Sequence, residues 1–296
     1  MIKTIQVEVR NPRIYLDENL TYTRATTYGS GSTQSEMHVT LLRHRTGTGL
    51  RFPCIVWIGG GGWATADHNN HIPELVGFAE AGYVVASVQY RLAGEARFPA
   101  GLEDVKACIR FLRANAEEFC IDPERIGVWG ESAGGHYAAL VATTGDNKVF
   151  DKGVFLDQSS AVQAAVCWYP PVNFKSMAEQ LAARAEAKGQ PKDTTGKPDM
   201  VTLLLNGNPL LCEDKVAFAN PLTYLTKNAP PTLIMHGTAD NTVPIEQGEL
   251  LHDALEAAGI PVTMYKIEGA PHASLEFYQP ETKKIVLEFF DSILKK

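Results

Sequence analysis

No stretch of this sequence approaches the roughly 20 consecutive apolar residues that cross a bilayer, so no membrane-spanning helix is expected. Positive charge is scarce as well: 27 Lys and Arg against 34 Asp and Glu leave a formal net charge of −7. Arg43, Arg91, Arg110 and Arg113 are scattered, with none of the basic stripe that a phosphate backbone demands, so nucleic acid is not an expected partner. Cys54, Cys108, Cys120, Cys167 and Cys212 are too far apart for a metal knuckle or a redox pair, and most sit among apolar residues. They read as small buried hydrophobes, and no metal site is expected. The N-terminus lacks the long apolar core of a secretion signal, and with an odd cysteine count this points to the cytoplasm unless the chain is a processed form. The sequon Asn19-Leu20-Thr21 then reads as chance.

What is present is ordinary globular material, 45% hydrophobic and 21% charged, which excludes wholesale disorder. A single α/β domain over residues 1–296 suits the length. Ile5 to Val9, Tyr22 to Thr27 and Met37 to Leu42 alternate or are β-branched, with Gly-Ser and Thr-Gly turns between them, which predicts N-terminal strands. Arg51 to Ile58 reads as a buried strand, and from there strand and helix alternate. Strands are expected at Tyr83 to Tyr90, Arg125 to Trp129, Ala161 to Trp168, Pro231 to Met235 and Pro261 to Ile267. Helices are expected at Ile72 to Ala81, Gly101 to Phe119, Ala133 to Thr143, Glu246 to Ala258 and Glu281 to Leu294. That rhythm implies a mostly parallel sheet covered on both faces. Residues 173–219 interrupt it, Ala-rich at first, then polar, then Leu203-Leu204-Leu205. This reads as a helical lid, hinged at Gly189-Gln190-Pro191 and Gly196-Lys197-Pro198, with the three leucines packed on an aromatic wall.

Gly130-Glu131-Ser132-Ala133-Gly134 matches the Gly-x-Ser-x-Gly nucleophile elbow and lies between a strand and a helix, as that motif requires. The turn is so tight that flanking side chains would clash, hence its glycines. Ser132 would project at a helix N-terminus, where partial positive charge favours a developing anion. Gly59-Gly60-Gly61-Gly62-Trp63 follows a buried strand. It fits either an oxyanion loop or a loose dinucleotide fingerprint, but the latter expects a carboxylate ending the next strand, which instead ends Gln89-Tyr90-Arg91.

Of the eight histidines, His272 follows the last sheet strand in a Gly/Pro loop, where the base must lie if the chain order is serine, acid, histidine. His136, one helical turn from Ser132, reads as a packing residue, and His236 as a satisfied histidine beneath the active-site loops. His38 and His44 lie in strands, His68 and His71 in a polar loop, and His252 on a helix. Asp240, just past the penultimate strand, is the expected acid, with Glu268 the alternative.

The elbow through Gly135, Tyr90-Arg91-Leu92 with Phe98-Pro99-Ala100, Ile121 to Ile126 and the block His236 to Pro244 together resemble the α/β-hydrolase esterases. Among these the chain is most similar to the bifunctional feruloyl/acetyl xylan esterase-like branch, near the hormone-sensitive-lipase-like carboxylesterases. The resemblance runs from about Phe52 to the C-terminus. It implies a triad of Ser132, Asp240 and His272, oxyanion donors at Ala133, Gly60 and Gly61, and no cofactor. It further implies acetyl or hydroxycinnamoyl esters of plant-polysaccharide sugars as substrates. Trp63, Trp168 and Tyr169 sit near strand ends and could wall the acyl or sugar pocket. One departure stands out: Gly59 occupies the place where such esterases carry a histidine that braces the oxyanion loop. An amide or formamide hydrolase on the same triad, or a hydrolase-fold binding protein, are the alternative functions. The partner is then a small-molecule or oligosaccharide ester, and homo-oligomers remain compatible with the sequence.

Overall fold

A computed structural model of the chain describes residues 1–8, 13–29, 31–44, 49–145, 147–189 and 199–296. Its framework is an eight-stranded sheet: β1 (Ile14–Gly29), β2 (Gly31–His44), β3 (Phe52–Ile58), β4 (Val84–Val88), β5 (Ile121–Glu131), β6 (Ala164–Trp168), β7 (Thr232–Gly237) and β8 (Val262–Ile267). The spatial order is β1-β2-β4-β3-β5-β6-β7-β8. β2 runs antiparallel to both its neighbours, and β3 to β8 pair in parallel. The parallel strands β3 to β7 are almost wholly buried, the signature of a sheet covered on both faces.

Strand alternation divides the core. Cys54, Val56 and Ile58 of β3 face α2 (Ala100–Ala114), α3 (Ala133–Thr143) and α7 (Ile245–Ala257), while Ile55 and Trp57 face α1 (Ile72–Glu80) and α8 (Pro280–Leu294). β3 is flanked by β4 on one side and β5 on the other, so the winding reverses there. In open α/β sheets such a switch point opens a crevice at the carboxyl ends of the strands. The glycine loop after β3 and the serine after β5 both emerge into it.

The sheet and helices fall where the periodicity puts them, with instructive differences. Residues 1–8 form no strand and are exposed, and Val9 lies outside the described residues. Alternation without a neighbouring strand leaves the ladder groups unpaired, and the hairpin of β1 and β2 supplies that pairing only from Ile14. The helix expected through Phe119 ends at Ala114, where the Asn115 side chain donates to the Phe111 carbonyl at 2.8 Å and the chain turns. The interruption contains α4 (Phe174–Ala187), α5 (Met200–Leu205) and α6 (Glu213–Ala219). Of its expected hinges, Gly189 ends the first described part, and the rest lies outside the described residues. Leu204 and Leu205 are buried in the core cluster with α2 and α3, which corrects the expectation that the leucine triplet lies on an aromatic wall of the pocket. A short helix turns its residues to different sides, and it is Met200 and Val201 that face the cavity. All five cysteines are free, and burial pushes the Cys54 and Cys167 thiols up to about 12, as inert packing groups.

Candidate active site

The site grows from one tight turn. β5 passes into α3 through Ser132, whose backbone sits at φ 51° and ψ −120°. A Cβ at Gly130 would overlap the Gly134 carbonyl, and one at Gly134 would overlap the Ile58 carbonyl of β3, so both positions require glycine. The Ser132 N–H donates to the Trp168 carbonyl at 3.0 Å, tying the turn to β6. Ser132 Oγ thereby stands 2.9 Å from His272 Nε2. His272 Nδ1 lies 2.6 Å from Asp240 Oδ2, while Asp240 Oδ1 accepts the N–H groups of Thr242 and Val243 at 2.8 and 2.9 Å. The loops after β7 and β8 are joined by the Ala239 N–H donating to the Ala270 carbonyl. Burial alone would raise the Asp240 carboxyl, but hydrogen bonds from His236 and His272 and the two backbone N–H groups hold it well below the usual carboxylate range. Asp240 is therefore an anion able to fix the imidazole's orientation.

The other candidates go elsewhere. His136 is fully buried between Trp63 and Phe174, donates from Nε2 to the Ala219 carbonyl at 2.7 Å, and is pushed by burial down to about 4. His236 Nε2 bonds the Val243 carbonyl at 2.9 Å beneath the acid loop. Glu268 is exposed at the end of β8.

A cavity of about 600 Å³ opens over Ser132 and His272. Gly60, Gly61, Gly62 and Trp63 form one side, and Phe174, Met177, Leu181, Met200 and Val201 of the interrupting helices form the apolar opposite wall. Trp63 lines the cavity, but Trp168 and Tyr169 do not. Trp168 points to the α1/α8 face with Trp57 and Trp129, and Tyr169 is fully buried with its hydroxyl on Glu131. A period of two sends Cys167 toward the cavity side of the sheet and Trp168 away from it.

The glycine loop also departs from expectation. The Gly60 N–H donates to Glu131 Oε1 at 3.2 Å, so it is not free for an oxyanion. The N–H groups of Gly61 and Gly62, at φ 116° and 61°, have no partner among the described residues, and Ala133 opens α3 with no intrahelical acceptor for its own. Glu131 itself, the variable residue of the elbow, was missed: it accepts from Gly60, His71, Tyr169 and Tyr278. Its place beside the serine was the available signal. Burial would raise its carboxyl, but His71 and the two tyrosine hydroxyls bring it down to about 2. Among the described residues no cluster of His, Cys, Asp and Glu could hold a metal ion, and no helix is long and apolar enough to cross a membrane.

The sheet order, with helices on both faces and the tight turn at Ser132, is that of the α/β-hydrolase fold. The family model described as BD-FAE matches residues 42–255, and the chain belongs to that family. A probable carboxylic ester hydrolase of Mycobacterium tuberculosis, LipM, is 28% identical over 75% of this chain and 49% of its own length. Carboxylesterase NlhH of the same organism is 29% identical over 76% of this chain and 67% of its own. The chain spans about half the length of LipM and of the esterases LipQ and LipC. A truncated carbohydrate esterase from gut microbiota superposes with a TM-score of 0.78 at 27% identity, over 97% of this chain and 100% of that one. An acetyl ester-xyloside bifunctional hydrolase from Caldicellulosiruptor lactoaceticus does so at 0.71 and 25%, over 87% and 88%.

Two outcomes follow from the buried carboxylates. Asp240→Asn should reduce ester turnover far more than Glu268→Gln, approaching the roughly 10⁴-fold seen when a triad aspartate is replaced; steady-state kcat on both variants checks the ranking. Glu131, depressed in the folded state, stabilises the fold above its unfolded pKa near 4.3 and loses that contribution as pH falls toward 2. The drop corresponds to about 3 kcal/mol. Urea titrations from pH 6 to 2 should therefore show a shallower acid loss of stability in Glu131→Gln than in the parent.

Proposed function

We propose that the protein is a serine carboxylesterase acting through an acyl-enzyme on Ser132, with a sugar as the alcohol and the acyl group in the apolar cavity. The observation that carries this reading is the unbroken chain Ser132 Oγ, His272 Nε2, His272 Nδ1, Asp240 Oδ2, with steps of 2.9 and 2.6 Å, at the floor of that cavity. His272 takes the hydroxyl proton as Ser132 Oγ attacks the ester carbonyl, and the imidazolium formed is held by Asp240. The N–H groups of Gly61, Gly62 and Ala133 face the developing oxyanion. His272 returns the proton to the alcohol oxygen as the ester bond breaks. A water then loses its proton to His272, attacks the acyl carbon, and the acid leaves as Ser132 regains its hydrogen.

For the substrate, the likeness to a carbohydrate esterase and an acetyl ester-xyloside hydrolase supports a sugar ester. The cavity falls within the roughly 300–1,000 Å³ of small-molecule sites, and an acetyl group leaves most of its 600 Å³ empty. Its walls of Phe174, Met177, Leu181 and Met200 suit a hydroxycinnamoyl ring, so the bulkier of the two family acyl groups is the better fit. The interrupting helices act as the lid of this pocket, within a single hydrolase domain.

Ser132→Ala should fold, lose covalent labelling by a fluorophosphonate, and lose hydrolysis of p-nitrophenyl acetate by several orders of magnitude. Ordinary turnover by the folded variant would overturn the mechanism. Replacing Leu181 and Met177 by Ala should lower kcat/KM for a feruloyl ester about tenfold or more against that for an acetyl ester, since lost apolar contacts are worth roughly 1–3 kcal/mol each in such pockets. Acetyl turnover should stay within about tenfold, because the triad and its N–H donors are untouched. An unchanged ratio, read from released acid on acetylated and feruloylated sugars, would move substrate choice to Trp63 and the loop beside it.

A further inference from the structure

The loop after β3 must hold two N–H groups steady against an oxygen that gains charge, yet its first residue, Gly59, has no side chain to brace it. The bracing comes from outside the loop. The Tyr90 hydroxyl donates to the Gly59 carbonyl at 2.8 Å, and Glu131 Oε1 takes the Gly60 N–H at 3.2 Å. The same oxygen lies 3.1 Å from His71 Nε2, and Glu131 Oε2 accepts from Tyr169, at 2.6 Å, and from Tyr278. His71 stacks on the Tyr278 ring at 5.5 Å and 11° and also meets Trp57. One carboxylate therefore links the glycine loop, the residue before the nucleophile, the end of β6 and the segment six residues after His272.

Resting on the esterase reading above, we propose that Glu131 and His71 are positioning residues for the oxyanion loop: the carboxylate fixes Gly60 so that Gly61 and Gly62 point at the substrate oxygen, and the His71 cation offsets its charge. The second duty follows from Coulomb's law. An unpaired buried carboxylate beside the oxyanion would oppose the negative charge that the transition state develops, and a cation 3.1 Å from it cancels much of that field.

The groups facing the pair favour its charged form. The hydrogen bond that His71 donates to Glu131 raises it above the ordinary histidine value, against the effect of burial, with Glu74 of α1 adding to it. Glu74 is itself paired to Lys283 of α8 at 2.8 Å. Tyr169 and Tyr278 are pushed up by burial and by Glu131, so both remain neutral donors. The paired state is lost as pH rises through the elevated His71 value. Loss of that cation uncovers the carboxylate charge, so kcat should fall on the alkaline side with one proton.

The test compares the parent with Glu131→Ala, Glu131→Gln, His71→Gln and Tyr278→Phe on p-nitrophenyl acetate, reading kcat and KM separately from pH 6 to 10. Glu131→Ala should lower kcat about 100-fold with KM within threefold, the size of effect seen when an oxyanion donor is lost. Glu131→Gln, which keeps an acceptor for Gly60, should recover most of that. His71→Gln should lower kcat near neutrality and abolish the alkaline limb, while Tyr278→Phe, which leaves the carboxylate in place, should give an intermediate loss. Affinity for a trifluoromethyl ketone, which forms the oxyanion, should fall in step with kcat. Full kcat in folded Glu131→Ala, or an alkaline limb that survives in His71→Gln, overturns the proposal. A parent that hydrolyses no ester overturns the esterase reading instead. The brace is then judged by ¹⁵N resonances: a Gly60 amide that shifts as His71 titrates supports it, and one that does not overturns it.

Discussion

The structure depends on how closely three backbones approach at Ser132. β3, β5 and β6 run parallel and adjacent, and the turn out of β5 leaves no room for a Cβ at Gly130 or Gly134. Because α3 begins within a residue of the strand, Ser132 is lifted above the sheet with its φ at 51°. That conformation is unfavourable for a residue with a side chain and persists only where surroundings over-determine it. Here they do: Ser132 N–H is held by the Trp168 carbonyl, and its carbonyl by the His136 N–H. The same crowding brings the glycine loop within van der Waals reach of the serine, since a Cβ on Gly60 would meet that of Ser132. Ser132 and the glycine loop are therefore placed by one packing constraint rather than by two.

The charges follow a common rule. Glu131 and Asp240 are buried carboxylates, and each is surrounded by enough donors to keep it ionised. Away from the site, Asp151 does the same for Lys106 and Arg110, which are fully buried on α2, and Asp104 takes three donors from Arg91. What separates the site pair is access: His272 touches Asp240 on one side and Ser132 in an open cavity on the other, whereas the fully buried Lys106 and Arg110 are taken up by Asp151 and backbone carbonyls.

Reading the chain in order made much of this legible. Ser132, Asp240 and His272 each follow the carboxyl end of a strand, and in a parallel sheet all those ends lie on one edge, so residues 140 apart had to converge. The helix Ala133–Thr143 was legible to the residue because the elbow fixes its start. Side-chain direction was less so. Trp168 and Tyr169 lie at the right edge, but alternation sends Trp168 to the far face, and proximity in sequence says nothing about that parity. Gly60 looked like a donor because its N–H belongs to the glycine run; only the long-range contact with Glu131 removes it. His71 was illegible for the same reason: its partner is 60 positions away on another strand, and no local pattern joins a polar loop to an elbow.

The interrupting helices touch the Asp240 loop as well as lining the cavity. Arg184 of α4 donates to the Asp240 carbonyl at 2.7 Å and to Glu246 at 2.5 Å, and Lys188 reaches Asn241 at 2.9 Å. At its other end α4 is anchored by Gln247, whose amide oxygen accepts the N–H groups of Val172 and Asn173. The apolar wall of the cavity therefore rests on the loop that carries Asp240. Meanwhile Met200 packs over Gly62, where an added Cβ would meet its side chain at 3.1 Å, so the same wall also rests on the oxyanion loop. A group too large for the cavity cannot push the wall outward without disturbing the acid, the donors, or both. Selectivity in such an arrangement appears in kcat as well as KM, because a misfitting acyl group is penalised at the step where Asp240 and the glycine N–H groups must hold their places.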